Sequence, residues 1–226
     1  MRLTYSLSVF LSIFLFSSLA SAGVQVGTTR IIYAEGKKEA SVSLDNQDNT
    51  PYLIKSWIEN DKTAGSHFLV TPPLFRLEAK QKNVVRIFKT DDVLPADRET
   101  LFFFNTTAIP ATTEELNRNT LQIAVRTKLK LIYRPKALKN DTSVNSAGRL
   151  TWTKTNSSVT VNNPSPYYIN FMYVKINNVS VELKDINYVA PFSSATYPFK
   201  NANGGKVEWV AINDFGGQSD VYHSML

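Results

Sequence analysis

The chain has 226 residues and a net charge of +6, contains no cysteine, and has two histidines, His67 and His223. The missing cysteine excludes disulfides, thiolate catalysis and cysteine-ligated zinc, and the two histidines are not spaced like metal ligands. Lysine and arginine are scattered among aspartate and glutamate, so the positive charge is too dilute to predict nucleic-acid binding. We expect no metal site and no cofactor.

Residues 1–22 are typical of a secretory signal peptide. Arg2 precedes an apolar block that ends in ASA at 20–22, and no further charge occurs before Arg30. A basic start, a short apolar core and an A-x-A end predict cleavage, with the mature chain beginning at Gly23. The alternative is an uncleaved membrane anchor, although the block is barely long enough to span about 30 Å of hydrocarbon. No later segment resembles a membrane span.

Most of the remaining segments are short, alternate apolar with polar residues and end at turn residues. Alternation with period two is typical of a β-strand with one buried face. Strands are predicted at Tyr52–Glu59, His67–Thr71, Asn83–Phe88, Thr100–Thr107, Ser158–Asn163, Tyr167–Ile176, Val179–Leu183 and Lys206–Asp214. Ala111–Asn119 has a helical composition but is too short for a structural helix. Many short strands with turns between them indicate antiparallel sandwiches.

The longest predicted strand is Leu121–Pro135, which exceeds the usual strand length of about 5–6 residues. Its odd positions carry an aliphatic stripe that begins with Leu121, Ile123 and Val125, and its even positions are mostly polar or basic. Alternation alone favours a stripe that covers this domain's own core, because most strands bury one face against the core of their own domain. The alternative is that the stripe covers the core of another protein.

The composition changes after Pro135. Lys136–Gly148 has few large apolar residues and several turn formers, so we predict a linker there. The segments on either side are each close to the size of one immunoglobulin-like sandwich of about 100 residues. The sequence therefore predicts an all-β protein with one immunoglobulin-like domain at 23–138 and another at 144–226. No sequence repeat relates the two halves.

A series of stretches in both halves carries a more specific signal. They are TTRIIY (Thr28–Tyr33), PYLIKSWIEN (Pro51–Asn60), VTPPLFRLE (Val70–Glu78), LPADRETLFFFN (Leu94–Asn105), NTLQIAVRTKLKLIYRP (Asn119–Pro135), NNPSPYY (Asn162–Tyr168) and INDFGG (Ile212–Gly217). In this order they resemble the periplasmic chaperones of the chaperone–usher pathway of pilus assembly. The resemblance covers nearly the whole mature chain. It implies two immunoglobulin-like domains in a boomerang arrangement with a cleft between them.

The resemblance reverses the interpretation of the aliphatic stripe. In this family the long last strand of the first domain lies at an edge and lends its aliphatic residues to a pilin, a sandwich that lacks one strand. This is β-augmentation, in which main-chain hydrogen bonds provide affinity and alternate side chains fill a groove. The resemblance implies that Leu121, Ile123 and Val125 are the donor residues.

The resemblance also assigns roles to charged residues. Arg30 and Lys130 match two basic residues that bind the C-terminal carboxylate of the pilin, for which a guanidinium and an ammonium are suited. Glu99, Arg134 and Asp214 match an ion network between the domains, which we expect to set their orientation more than their stability. Without the resemblance, these would be ordinary surface charges.

A further group, Leu53, Thr71, Arg86 and Ile109, corresponds to a patch with which this family docks on an outer-membrane usher. For Leu53 or Ile109 taken alone, the sequence favours ordinary core or scattered surface packing instead. The short connection before the donor strand and the absence of a cysteine pair resemble the short-loop subfamily, which serves rod-like fimbriae. The implied partners are pilin subunits and an usher, in the periplasm and without membrane insertion. Self-association of the free protein is left open.

Two other classes of function are the alternatives. An enzyme is disfavoured because no G-x-S-x-G, His-rich metal motif or phosphate loop is present, although carboxylate pairs that meet only in space leave no sequence signal. A pilin or adhesin is also a secreted β-sandwich, but it would be one incomplete domain, usually with a disulfide and an N-terminal donor extension. We therefore predict a chaperone and not an enzyme.

Overall fold

The computed structural model describes residues 23–59, 67–90, 93–111, 121–138, 143–155, 157–183, 187–199 and 205–226. The predicted signal peptide lies outside these ranges, as does the 112–120 segment, which contains most of the Ala111–Asn119 stretch of helical composition and of the short connection before the donor strand. Within the ranges, no helix is long and apolar enough to cross a membrane. Nor do they contain a group of three or more His, Asp or Glu residues that could hold a metal ion.

The first half of the chain forms one sandwich. Its strands are β1 (Val24–Val26), β2 (Arg30–Ala34), β3 (Ala40–Asn46), β4 (Tyr52–Glu59), β5 (Phe68–Thr71), β6 (Leu74–Leu77), β7 (Lys82–Lys89), β8 (Thr100–Pro110) and β9 (Val125–Arg134). A four-stranded sheet has the order β1-β3-β7-β5, and a five-stranded sheet has the order β2-β9-β8-β4-β6. Paired strands are antiparallel, except β2 and β9, which run parallel.

The second half forms another sandwich. After a 3-10 turn at Lys136–Leu138, its elements are α1 (Ser143–Ala147), β10 (Thr151–Lys154), β11 (Ser158–Asn163), β12 (Ile169–Ile176), β13 (Val179–Ser180), β14 (Tyr188–Val189), β15 (Ser193–Pro198), β16 (Lys206–Ile212) and β17 (Gln218–Met225). A three-stranded sheet has the order β10-β11-β15. The other sheet has the order β13-β12-β16-β17, with β14 also paired to β12.

Each sandwich has its own core, formed by alternate residues of facing strands. Phe102, Phe104 and Leu131 are buried in the first core. Trp152 and Trp209 lie in the second core, with ring centres 5.3 Å apart. The prediction of an all-β protein with two sandwich domains is confirmed. Burial of apolar surface on one face of each sheet explains why alternation predicted these strands.

The strand predictions need two kinds of correction. Val179–Leu183 is a strand only at Val179–Ser180, because β13 pairs with β12 at two positions. The sequence analysis also missed strands rich in small polar residues or lying at a sheet edge, where alternation is weak. These are β1, β2, β3, β6, β10, β14, β15 and β17.

The predicted linker is only partly a linker. Its second half forms α1, in which Ser146 and Ala147 are completely buried. The Trp209 indole N–H donates to the Ala147 carbonyl at 3.0 Å, and the Tyr222 hydroxyl donates to the Val144 carbonyl at 3.0 Å. The stretch has few large apolar residues, but its small residues fit closely beneath the aromatic rings of the second core.

The two domains share one local hydrogen-bonding motif, although no sequence repeat relates them. Asn46 and Asn163, which end β3 and β11, are both completely buried. Each donates its side-chain amide to the carbonyl four residues later and accepts the backbone N–H two residues later. A buried asparagine thus closes the corresponding corner of both sandwiches, since its amide satisfies backbone groups that would otherwise lack partners.

Candidate binding site

The aliphatic stripe of the long strand is divided between two environments. Leu129, Leu131 and Tyr133 are buried in the first core. In contrast, the side chains predicted to be donor residues are exposed, with Leu121 at 86%, Ile123 at 64% and Val125 at 59%. One stripe therefore serves its own domain at the C-terminal end and faces solvent at the N-terminal end. Exposed alternate aliphatic residues on a strand are uncommon in isolated domains and indicate a binding surface.

The backbone beside the exposed residues is open for pairing. β9 pairs with β8 from Val125 to Tyr133, whereas β2 joins its other edge only from Lys130 to Arg134. In the part of the chain that the structure describes, residues 125–129 therefore have one free strand edge. The predicted strand also began too early, since residues 121–124 lie outside the ladder.

A groove lies beside this free edge, between β9 and β1 of the opposite sheet. It has a volume of about 330 Å³ and is lined by Ile123, Val125, Val24 and Val26, among others. The sandwich is open at this end because β1 and β9 belong to different sheets and are not paired with each other. The groove extends the exposed apolar stripe into a concave surface.

The polar face of the same segment is tied to neighbouring strands. Arg126 forms an ion pair with Glu59, donates to Asn105 Oδ1 at 3.1 and 2.8 Å, and lies 4.9 Å from the centre of the Trp57 ring. Lys128 Nζ is 3.1 Å from a Glu59 carboxylate oxygen. These contacts hold the start of β9 against β8 and β4. Val125, at the end of the exposed stripe, is therefore presented on an ordered strand.

Arg30 and Lys130 lie side by side because they are Cα partners in the parallel β2–β9 ladder. The Nε atom of Arg30 is buried and has no hydrogen-bond partner among the described residues. Burial lowers the pKa of Arg30, and the charge of Asp214 opposes that change. Burial also lowers the pKa of Lys130 to about 8, and repulsion by Arg30 contributes. Two partly desolvated cations in contact with a cleft favour an anionic ligand.

Lys130 is also bound by the second domain. Its ammonium donates to Asn170 Oδ1 at 2.6 Å and to Asn187 Oδ1 at 2.7 Å. It lies 4.7 Å from the centre of the Tyr188 ring. Sequence reasoning missed these contacts because no spacing or pattern links an asparagine to a lysine in another domain.

The structure brings Glu99, Arg134 and Asp214 together between the domains. Arg134 Nε is 2.7 Å from Glu99 Oε1, and its Nη1 and Nη2 are 2.6 and 2.9 Å from the two Asp214 oxygens. Glu99 Oε2 accepts the Tyr168 backbone N–H at 2.8 Å. Glu99 is 2% exposed. Burial raises the pKa of Glu99 to about 7, and Arg134 opposes the rise.

Asp214 reaches this interface on the turn between β16 and β17. Gly216, in the same turn, has a φ of +88°, and a Cβ placed on it would lie 2.4 Å from Thr29 Oγ1. Only glycine adopts such a φ at no steric cost and leaves room for this approach. The INDFGG stretch thus brings a carboxylate of the second domain close to the start of β2.

The four residues of the predicted usher patch come together as two pairs. Leu53 and Ile109 are exposed Cα partners of the five-stranded sheet, and Thr71 and Arg86 are exposed Cα partners of the four-stranded sheet. Leu53 is 42% exposed and Ile109 is 37% exposed. Of the two alternatives for Leu53 and Ile109, core packing is therefore wrong and a surface position remains; Ile54, next to Leu53, is buried in the core instead.

Taken together, these residues can hold one extended polypeptide end. The free edge of β9 offers main-chain hydrogen bonds, the stripe offers alternate apolar side chains, and Arg30 and Lys130 can neutralise a carboxylate. All three features lie on consecutive parts of one strand and its parallel neighbour. The arrangement is suited to binding a strand.

The family comparison covers both domains. Residues 23–139 match the N-terminal domain model described as "Pili and flagellar-assembly chaperone, PapD N-terminal domain". Residues 145–223 match the model described as "Pili assembly chaperone PapD, C-terminal domain".

Individual relatives agree with this match. The chaperone protein FocC of Escherichia coli is 37% identical over 221 residues, covering 96% of this chain and 95% of the relative. The chaperone protein PsaB of Yersinia pestis is 37% identical over 229 residues, covering 90% and 84%.

Solved structures lead to the same family. A chain of the complex of Salmonella enterica SafA pilin with the SafB chaperone has a TM-score of 0.83 and 38% identity, covering 90% of this chain and 96% of that chain. The Escherichia coli chaperone DraB has a TM-score of 0.79 and 32% identity, covering 90% and 96%. The chain therefore belongs to the PapD family of pili assembly chaperones.

Proposed function

We propose that this protein is a periplasmic chaperone that binds pilin subunits by donor-strand complementation. The segment that leads into β9, together with the start of β9, supplies the missing strand of the pilin, and Leu121, Ile123 and Val125 enter its open groove. The complex keeps the pilin from aggregating, because its exposed core and strand edge are covered. An outer-membrane usher then receives the subunit for assembly into a fimbria.

The observation that carries the proposal is the change of environment along one aliphatic stripe. Leu131 is completely buried, whereas Ile123, eight positions earlier on the same face, is 64% exposed beside a free strand edge. A stripe needed only by its own domain would be buried along its whole length. The exposed part, in contrast, has the alternation and the open backbone that an added strand requires.

The paired cations support a second contact with the pilin. Arg30 and Lys130 adjoin the C-terminal part of the free edge and are partly buried without an ion-pair partner among the described residues. A C-terminal carboxylate of the pilin would give both cations an ion-pair partner. Binding at this end would also set the register, because a shift by one residue turns every side chain to the other face.

The remaining parts of the proposal rest on family membership and on exposed surface. Leu53, Thr71, Arg86 and Ile109 are exposed on the first domain and available for an usher. The resemblance to short-loop chaperones suggests rod-like fimbriae as the product. The periplasm follows from the pathway and from the predicted signal peptide at 1–22.

Co-purification tests the proposal directly. The full chain, tagged at its C-terminus, is expressed with the pilin subunits of its fimbrial system and isolated from the periplasm. We expect a one-to-one complex with a pilin, formed without nucleotide, identified by mass spectrometry. Recovery of the protein itself from sheared surface fibres would instead identify it as a pilin, and a change in pilin yield caused by ATP would contradict the binding mechanism.

The pH dependence of pilin binding follows from Lys130. Because its pKa is about 8 in the free protein, the ammonium loses its proton as the pH rises above that value. A bound carboxylate stabilises the charged form, so the complex holds more protons than the free protein at alkaline pH. Affinity should therefore be constant below pH 8 and fall by up to about tenfold per pH unit above it. Isothermal titration calorimetry between pH 6 and about 9.5 measures this.

The matched control is Lys130→Arg, since a guanidinium keeps its charge over this range. The variant should bind with a flatter alkaline profile. An equally steep alkaline fall in Lys130→Arg would place the titrating group elsewhere and contradict the assignment.

We also expect Arg134→Ala to loosen the arrangement of the domains. Removing the guanidinium leaves the buried Glu99 carboxylate and Asp214 without the cation between them, and each domain retains its own core. Small-angle X-ray scattering should show a broader distribution of overall dimensions about the boomerang arrangement, while circular dichroism stays unchanged. Arg76→Ala is a suitable control because Arg76 pairs with Glu78 on the surface of the first domain. An unchanged mean and spread in Arg134→Ala would refute the orienting role.

A further inference from the structure

The second domain contributes two neutral side chains to the anchor lysine. We propose that Asn170 and Asn187 are positioning residues that hold the Lys130 ammonium without neutralising it, so that its charge stays available for the carboxylate of the pilin. The inference rests on the proposed function and extends it to the other side of the cleft. The role depends on both side chains being neutral amides, and not only on their contact with Lys130.

Geometry supports this role for Asn170 in particular. Its side chain is buried, with the residue 2% exposed, and its oxygen lies 2.6 Å from Lys130 Nζ. Its amide nitrogen is directed to the Tyr168 carbonyl at 3.5 Å. The amide is thereby oriented with its oxygen toward the lysine. Asn187, although exposed, contributes a second oxygen at 2.7 Å.

The distribution of charge around the cleft explains why neutral acceptors matter. The nearby carboxylates, Glu99 and Asp214, are both engaged by Arg134. No described carboxylate forms an ion pair with Lys130 or Arg30. An aspartate at either asparagine position would place an internal anion on Lys130 and compete with the anion of a ligand.

The ammonium also keeps capacity for a ligand. Lysine has three N–H donors, and the amide oxygens of Asn170 and Asn187 accept two of them. A fixed ammonium with one donor remaining loses less freedom on binding than a mobile lysine side chain.

The test replaces the amide by an isosteric carboxylate. The probe is a peptide that copies the C-terminal strand of the captured pilin, in one form with a free carboxylate and in another with a C-terminal amide. Asn170→Asp should retain its contact with Lys130 but bind the free-carboxylate peptide at least about tenfold more weakly. Its affinity for the amide form should be unchanged. Fluorescence anisotropy measures both affinities.

Three comparisons make the test decisive. Asn162→Asp makes the same chemical change on the exposed β11 surface and should bind both peptides like the original protein. Asn187→Asp, at an exposed position, should weaken carboxylate binding and covers the case in which Asn170→Asp does not fold. NMR titration of the lysine Nζ groups should show a raised pKa for Lys130 in Asn170→Asp, because the new ion pair favours the charged form.

Unchanged carboxylate binding in folded Asn170→Asp and Asn187→Asp would overturn the inference and leave the asparagines as interface contacts. Arg30→Ala separates this failure from a failure of the proposed function. If Arg30→Ala loses the carboxylate preference while the aspartate variants keep it, only the present inference fails. If Arg30→Ala also binds both peptide forms normally, the carboxylate anchor itself is wrong.

Discussion

Ile123→Asp is expected to abolish pilin binding while the chaperone remains folded. The side chain is 64% exposed in the free protein, so an aspartate there stays hydrated. In the complex it would enter the apolar groove of the pilin as an ionised carboxylate without a partner, which is strongly unfavourable. We expect a loss of more than about 4 kcal/mol, or roughly a thousandfold in affinity.

The same stripe offers a matched control in Leu131→Asp. Leu131 has the same chemistry and lies on the same face of β9, but it is completely buried in the first core. Placing a carboxylate there should cost a large part of a total stability that is about 5–15 kcal/mol for a typical domain. We therefore expect the first domain to unfold in this variant.

Thermal unfolding by circular dichroism, combined with a pilin pull-down, distinguishes the two positions. Ile123→Asp should melt like the original protein and capture no pilin. Loss of cooperative unfolding in Ile123→Asp would show that the exposed stripe supports its own domain after all. Normal pilin capture by the folded variant would remove Ile123 from the donor residues.

Arg30→Ala and Lys130→Ala are each expected to disrupt the pilin complex. Removing either residue leaves the carboxylate in the cleft with an incomplete set of partners. The cost should be on the order of 2–5 kcal/mol if the site excludes water when the pilin is bound. Because the two cations are adjacent in the β2–β9 ladder and serve one group, the double variant should lose less than the sum of the single losses.

The measurement is a double-mutant cycle on pilin affinity, repeated with a pilin that lacks its last residues. The truncated pilin should bind weakly to all four proteins and with nearly equal affinity. Strictly additive losses would argue that Arg30 and Lys130 act on separate groups. Affinity close to that of the original protein in either folded single variant would contradict the anchor, while membership of the family would be unaffected.

Some properties of this protein follow from local sequence alone. Period-two alternation and turn residues predict strands such as Tyr52–Glu59 and Ser158–Asn163 with the bounds that the structure has. Local order is sufficient there because each side chain's face is set by its position along the strand. The absence of cysteine, a direct count, similarly excludes disulfides in any fold. The motifs in chain order resemble the family to which both domains belong.

Local sequence could not determine which part of a stripe is exposed. Leu131 and Ile123 are equivalent in the pattern, but Leu131 packs in the first core, whereas Ile123 lies before the β8–β9 ladder begins at Val125. Burial is decided by neighbouring strands that lie far away in sequence.

Interdomain contacts also depended on the tertiary structure. The sequence, through its resemblance to a family, singled out Arg30, Lys130, Glu99, Arg134 and Asp214, but nothing in it pointed to Asn170 or Asn187. These asparagines lie 40 and 57 residues from Lys130 in the chain. Asparagine is an ordinary turn and surface residue in a sequence, and it becomes part of a binding site only when folding places its oxygen beside a partly buried ammonium. Composition and alternation thus determined the fold class, whereas strand order and domain contact decided which residues are exposed and which charges remain unpaired.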